Sequence, residues 1–491
     1  MPVAADTIGG ASTIEVERLQ GSKASSVAAS TLVSVSVALV TAWVVGDLLW
    51  KGELVTGTRS IQFLAAALSC VASTRLIVIV MQKNFDFPRA AFYVFTLVWM
   101  CYAPLAQLAF QTVPITISFS PERYETGLVL VMIGILGYEG GVFFQGRREI
   151  KRVLSRGASS SWQLNIRRLQ LVTVVGLIVV SILLAATGGF EILVSSRSEF
   201  SDAMFGSSSS SSKASGAIVN SLILVIPFVS AMGWMVVLVS RRQISANCRV
   251  LAFVTLVANV AVNNPVSQSR FWVATVYLSM LGCWLTPRFP QFPKIAVSLS
   301  LVFLIIVFPF SDIFRHAEGS REIKINDPLA QLASKGDFDA FPQLTSSIWH
   351  VANLGQRHGH QAAGAAAFFV PRALWSGKSE DTGTMLGKEA NLGNVNLSAP
   401  LWAEGYVDFG VAGAFIYLFL LGRLSVVLGR LTSTIALGPG FACFVGVYQF
   451  VLLRGSLLQA MGISFVLAVL FRVIMTKNEP NESLNPELRF P

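Results

Sequence analysis

Apolar runs of about the length of a bilayer crossing recur along this chain, with few charges inside them. Such a run has few ways to fold. A helix of roughly 20 apolar residues matches the ~30 Å hydrocarbon layer and satisfies its own backbone hydrogen bonds there. Read on that basis, twelve runs stand out, at 28–50, 61–82, 90–109, 126–144, 169–187, 217–240, 250–262, 271–284, 295–310, 407–428, 441–453 and 459–474. Several are short, and those flanking 263–270 and Arg454 leave a re-entrant hairpin open as an alternative. Only 13% of the residues are charged, against roughly 25% in soluble domains. The expected fold class is an all-α polytopic membrane protein of about twelve transmembrane helices.

The formal net charge of +10 would point to nucleic acid in a soluble chain. Here the basic residues fall in short connections between apolar runs, where they report orientation instead. Arg147, Arg148, Lys151, Arg152, Arg156, Arg167 and Arg168 crowd the connection after the fourth run, which is therefore expected in the cytoplasm. Counting outward, the same side receives Lys83 and Arg89, Arg241, Arg242 and Arg249, Arg288 and Lys294, Arg423 and Arg430, and the tail after Arg472. The expected layout is a disordered cytoplasmic tail (1–27), nine crossings (28–311), a long extracytoplasmic loop carrying short helices (312–400), three crossings (401–476) and a cytoplasmic tail (477–491). The polar, Ser/Ala-rich start shows no cleavable signal peptide. The five cysteines all lie in apolar runs, which argues against a disulfide framework or a zinc site.

The loop 312–400 is the one long polar segment, and all four histidines lie in it: His316, His350, His358 and His360. Pro342 marks a helix start, with Leu344, Ile348 and Val351 at helical spacing and His350 at the edge of that stripe. Residues 362–369 form a short apolar stretch stopped by Pro371, and 383–393, rich in Gly and Asn, reads as irregular backbone. Glu404 and Asp408, four apart, share a helix face at the mouth of the tenth crossing. In the earlier outer connection, Ser207–Ser212 reads as a flexible tether.

No phosphate loop, dinucleotide fingerprint, HExxH or GxSxG is present. His358 and His360 flank one glycine without a third partner, so no metal is expected. The informative pattern is cationic: Arg197, Arg270, Arg315, Arg372 and Lys378 all fall on the outer side. Guanidinium groups bind phosphate oxygens bidentately at any pH, and a set of them beside a bilayer suits a lipid-linked phosphate or pyrophosphate. Taken singly, each could equally pair with a loop carboxylate or a lipid headgroup. Glu404 and His350 are the two candidates for a general base.

The segment Phe369-Val370-Pro371-Arg372-Ala373-Leu374-Trp375-Ser376-Gly377-Lys378, with Asn396-Leu397-Ser398-Ala399-Pro400 and Glu404-Gly405-Tyr406 ahead of Phe409-Gly410 and Gly413, resembles bacterial O-antigen polymerases of the Wzy type. The long outer loop before the tenth crossing is also similar to that family and to the related O-antigen ligases. The motif likeness covers about 45 residues, and the topology extends it over the chain. It implies a GT-C-like fold in the bacterial inner membrane. The implied activity is metal-independent, inverting glycosyl transfer that polymerises undecaprenyl-pyrophosphate-linked repeat units outside the cytoplasm. No cofactor is implied. Implied partners are lipid-linked oligosaccharides, membrane lipids and a chain-length regulator, and no nucleic acid. The family's pyrophosphate-handling arginines match Arg372, with ten residues between it and Gly383, and Arg270; Arg197 departs, with Gly206 nine positions on. A ligase reaction on the same donor is the neighbouring alternative, and a lipid-linked oligosaccharide flippase is the alternative from another class.

Overall fold

The computed structural model describes residues 9–477, apart from 53–56, 115–118, 157–161, 196–198, 201–209, 241–243, 309–326, 393–396 and 435–436. The apolar runs are helices: α1 (Gly9–Lys51), α2 (Arg59–Met81), α3 (Phe87–Phe110), α4 (Pro121–Arg156), α5 (Ile166–Thr187), α6 (Ser210–Val239), α7 (Ala246–Val262), α8 (Arg270–Leu285) and α9 (Phe292–Val307). The loop contributes α10 (Pro328–Ser334), α11 (Ala340–Leu354), α12 (His360–Ala366) and α13 (Thr382–Glu389). The chain then closes with α14 (Leu401–Thr434), α15 (Gly438–Arg454) and α16 (Leu457–Ile474). Eight of these helices are long and apolar enough to cross a membrane, and α7, α8, α9 and α15 are shorter apolar helices. The chain is an all-α membrane protein. Each of the twelve expected runs corresponds to one of these helices.

Local chemistry sets several starts. Asp86, Asn165 and Ser245 accept hydrogen bonds from the N–H of Arg89, Arg168 and Cys248, capping α3, α5 and α7. Two apolar cores follow. The first surrounds α3, which is buried along its whole length and carries a π-helical turn at Thr96–Tyr102, and draws in α1, α2, α4, α9, the loop helices α10 and α11, α14 and α15. The second joins α5 to α8 with α15 and α16. Outside both cores, α5 presents Leu171, Val175, Ile178 and Ile182, and α7 presents Val250, Phe253 and Val257, as exposed apolar stripes. Such stripes are stable against lipid and costly against water.

The connections sort to two ends. At one end Lys51 pairs with Asp327, Arg270 with Asp337, and Asn264 Nδ2 donates to the Leu193 carbonyl at 2.8 Å. At the other, Lys294 Nζ meets Ser30 Oγ at 2.6 Å and Arg423 Nε donates to Gln145 Oε1 at 3.3 Å. The antiparallel strands β1 (Trp162–Leu164) and β2 (Met475–Lys477) close that second end. Neither short pair of runs is a self-packed hairpin: α7 packs on α6, α8 chiefly on α15, and α16 on α6.

Three stretches differ from expectation. The first helix already begins at Gly9, inside the stretch read as a tail. The expected irregular backbone at 383–393 is helical over Thr382–Glu389, because the Asp381 side chain caps it by accepting from Thr384 N. Of the serine run, Ser207–Ser209 lie outside the described residues and Ser210–Ser212 belong to α6.

The helix α14 breaks at Phe409 (φ −140°, ψ 22°) and Gly410 (φ +61°, ψ −144°). Around the break the backbones of Gly405 and Gly413 touch, since a Cβ on Gly413 would stand 1.9 Å from the Gly405 carbonyl oxygen. The break exposes backbone acceptors, and one of them, the Val407 carbonyl, takes the Arg357 N–H at 2.8 Å.

Candidate functional site

The charged groups of the loop end fall into four neighbouring constellations. The first is built on α11. Its residues Ala340–Ile348 are buried in the bundle, so the helix packs as part of the core and carries His350 inward, with a side chain that is 0% exposed. His350 Nδ1 lies 2.5 Å from Glu389 Oε2, at the last turn of α13. A carboxylate only accepts, so Nδ1 carries a proton, and in the neutral ring Nε2 is then the nitrogen with the lone pair. That Nε2 is buried without a hydrogen-bond partner. Arg357 Nη2 donates to the other Glu389 oxygen at 3.2 Å, and its side chain is 41% exposed. A carboxylate thus orients an imidazole whose second nitrogen is free to take a proton, beside a half-open cation.

The second constellation joins two arginines to two aspartates. Arg270, the first residue of α8, donates to Asp337 Oδ2 at 2.7 Å and lies over the Phe308 ring. Arg454, at the end of α15, donates to Asp339 Oδ1 at 2.9 Å and to the carbonyls of Asp337 and Gly336, over the Phe271 ring. The Trp99 indole also donates to the Asp337 carbonyl, at 2.9 Å. Segment 336–339 is thereby pinned into the bundle by cations from two separate helices.

Glu404 anchors the third. Thr382 Oγ1 donates to its Oε2 at 2.7 Å and the Leu457 N–H to its Oε1 at 2.9 Å, so both oxygens of this buried carboxylate are engaged. Asp381 lies close by, with the Ser456 hydroxyl facing both carboxylates. Burial raises the Asp381 carboxyl above its ordinary value, against the opposing pull of the hydrogen bonds it accepts from Thr384 N–H and Oγ1. The second and third constellations are continuous: the Ser398 N–H donates to Asp339 at 3.1 Å, and Ala399 N–H to the Arg454 carbonyl at 3.0 Å.

The fourth holds α12 and the chain after it. Asp408, fully buried, accepts from Gln361 N at 3.0 Å, Ala362 N at 2.9 Å and Tyr417 Oη at 2.6 Å. Arg372 donates to the carbonyls of Lys378 and Ser379, and Lys378 Nζ to those of Phe368 and Val370. His358 adopts φ +50° at the turn, and the His360 ring stands edge-on to Trp375 at 5.9 Å. Among the described residues no group of three or more His, Cys, Asp or Glu side chains gathers where one metal ion would sit.

Of the sequence-nominated residues, then, His350, Glu404, Arg270, Arg372 and Lys378 all stand at the loop end, each with its own partners. Arg197 and Arg315 lie outside the described residues, as does His316. The structure adds Glu389, Arg357, Asp337, Asp339 and Arg454. Glu389 is 39 positions from His350, and no local spacing pairs them. Its one sequence signal was a carboxylate in a stretch mistaken for irregular chain. The chain matches no family model, no curated protein and no solved structure.

Proposed function

We propose that this protein is a membrane glycosyltransferase that polymerises undecaprenyl-pyrophosphate-linked oligosaccharide repeat units, with His350 as general base. The observation that carries this reading is the His350–Glu389 pair, which leaves Nε2 buried and unpartnered. In the step, an acceptor sugar hydroxyl attacks the anomeric carbon of the donor glycan. The carbon–oxygen bond to the pyrophosphate breaks, the hydroxyl proton passes to His350 Nε2, and Glu389 stabilises the imidazolium through Nδ1–H. The leaving lipid pyrophosphate carries the negative charge that develops, and Arg357, half-open beside the same carboxylate, is the cation nearest to that need.

His350 is preferred to Glu404 because both Glu404 oxygens already accept hydrogen bonds. Arg372 and Lys378 are likewise committed to backbone carbonyls, so the pyrophosphate role moves to Arg357. Arg270 and Arg454 then hold the loop on the bundle. In this reading all twelve apolar helices cross a bacterial inner membrane in a GT-C-like arrangement. The long-loop end faces outward, and both termini lie with the basic connections in the cytoplasm.

The test is a reaction of the purified protein with a synthetic pyrophosphate-linked repeat unit. A ladder of products that His350→Ala abolishes is expected. A ladder of unchanged length in His350→Ala removes the imidazole from the chemistry. In cells, loss of the gene should leave single lipid-linked repeats; accumulation of full-length lipid-linked polymer would assign a ligase instead.

A further inference from the structure

A stretch of the long loop packs beside a long apolar helix without being one itself. The helix α12 packs along α16, and the Phe368 ring after it lies against the same helix. Gly462 is the fifth residue beyond the start of the span Leu457–Ile474, about 7 Å down at 1.5 Å per residue. A Cβ there would stand 3.9 Å from the Phe368 ring and 3.2 Å from Ser221 Oγ. Ser221 belongs to α6, so two long apolar helices meet at this level. The Phe368 ring also packs on Phe465, with centroids 5.6 Å apart, and Phe465 starts about 12 Å below the top of α16.

Irregular backbone survives at that depth only if its polar groups find partners inside the protein, because lipid offers none. Here they do. Asp408 takes the first N–H groups of α12. Lys378 Nζ takes the carbonyls of Phe368 (2.7 Å) and Val370 (3.0 Å). Arg372 takes those of Lys378 (2.7 Å) and Ser379 (2.9 Å). Both cations are turned into the segment's own backbone, while Phe369 (60% exposed) and Leu374 (82% exposed) are turned out of it. In water that distribution is inverted from the favourable one; in hydrocarbon it is the favourable one.

We infer that residues 360–378 form a re-entrant segment whose outer face, Phe369 and Leu374, contacts acyl chains of the leaflet on the long-loop side. The inference stands apart from the proposed glycosyl transfer, since it concerns only where this segment sits. It also supplies a reason for Arg372 and Lys378: they satisfy carbonyls that lipid would leave stranded.

The test places a bimane label at Phe369→Cys, Leu374→Cys and Lys388→Cys, each in a Cys70→Ser background because Cys70 is the exposed native cysteine. Lys388, 54% exposed and paired with Glu380, is the water-facing reference. The protein is reconstituted in phosphatidylethanolamine–phosphatidylglycerol vesicles, with and without acyl-chain bromination, and titrated with iodide. Bromolipid should quench the labels at 369 and 374 several-fold more than the label at 388, and iodide should show the reverse order. Labels at 369 and 374 that respond to iodide as the 388 label does, or that neither quencher reaches, overturn the inference. Leu374 is so exposed that replacing it costs no packing, so that variant reports on the native fold.

Discussion

Replacing Asp408 should cost this protein more than any other single carboxylate substitution at the loop end. The side chain is fully buried and accepts three hydrogen bonds, two from backbone N–H groups of α12 and one from Tyr417. Asp408→Ala strands all three donors, and each stranded buried donor costs about 1–3 kcal/mol, for a sum of about 3–9 kcal/mol. Asp408→Asn keeps one acceptor oxygen for Gln361 N, and the Tyr417 hydroxyl can turn to accept from the new amide. Only the Ala362 N–H is then stranded, at about 1–3 kcal/mol. Tyr417→Phe removes one donor and leaves the carboxylate its two backbone partners, at about 1–2 kcal/mol. The assay is thermal unfolding in detergent, followed with a thiol-reactive dye. Cys101, Cys248, Cys283 and Cys443 are buried and report unfolding, while exposed Cys70 sets the baseline. At about 2 °C per kcal/mol for a long chain, Asp408→Ala should lower the midpoint by about 6–18 °C, with the Asn and Tyr417→Phe variants closer to wild type. An unchanged midpoint for Asp408→Ala, or Tyr417→Phe as the most damaging of the three, would refute the account of Asp408 as the anchor of α12.

Other outcomes follow from the same geometry. Glu389→Gln leaves the packing of His350 in place but removes the carboxylate that fixes its tautomer, so chain extension should slow by about 10²–10⁴-fold; wild-type rates in the purified reaction would separate Glu389 from the chemistry. Gly410→Ala forces a Cβ onto φ +61°, ψ −144°, a conformation that costs a non-glycine residue about 1–3 kcal/mol. Because the strain lies in the backbone, a companion Gln356→Ala, which only clears space, should not restore the midpoint. Asp381 titrates above its ordinary value in the folded protein, so its contribution to stability is full below the unfolded carboxyl value and is lost as pH rises through the folded one. Asp381→Asn, which can still cap α13, should therefore gain midpoint relative to wild type as pH rises from acid toward neutral; parallel curves would count against a buried, destabilised carboxylate.

Much of the architecture is readable without coordinates, because a bilayer permits few solutions. A long uncharged run must be a helix, and each run read from the chain, from 28–50 to 459–474, coincides with one. Pro342 and the stripe Leu344–Ile348 also placed α11 correctly, since helix periodicity is a local property.

Partnership among the charged groups was not readable, and the reason is distance along the chain. His350 meets Glu389 across 39 positions, Arg270 meets Asp337 across 67 and Arg454 meets Asp339 across 115. Composition could say that cations gather on one side of a membrane. It could not say that Arg372 and Lys378 spend their hydrogen bonds on nearby carbonyls while Arg357 stays half open. A charged side chain in a low-dielectric bundle takes whichever partner the packing brings within 3 Å or so, and that packing is a property of sixteen helices together. Local sequence therefore sets where helices run and which end carries charge. Which carboxylate orients which imidazole or guanidinium is settled only when helices remote in the chain meet.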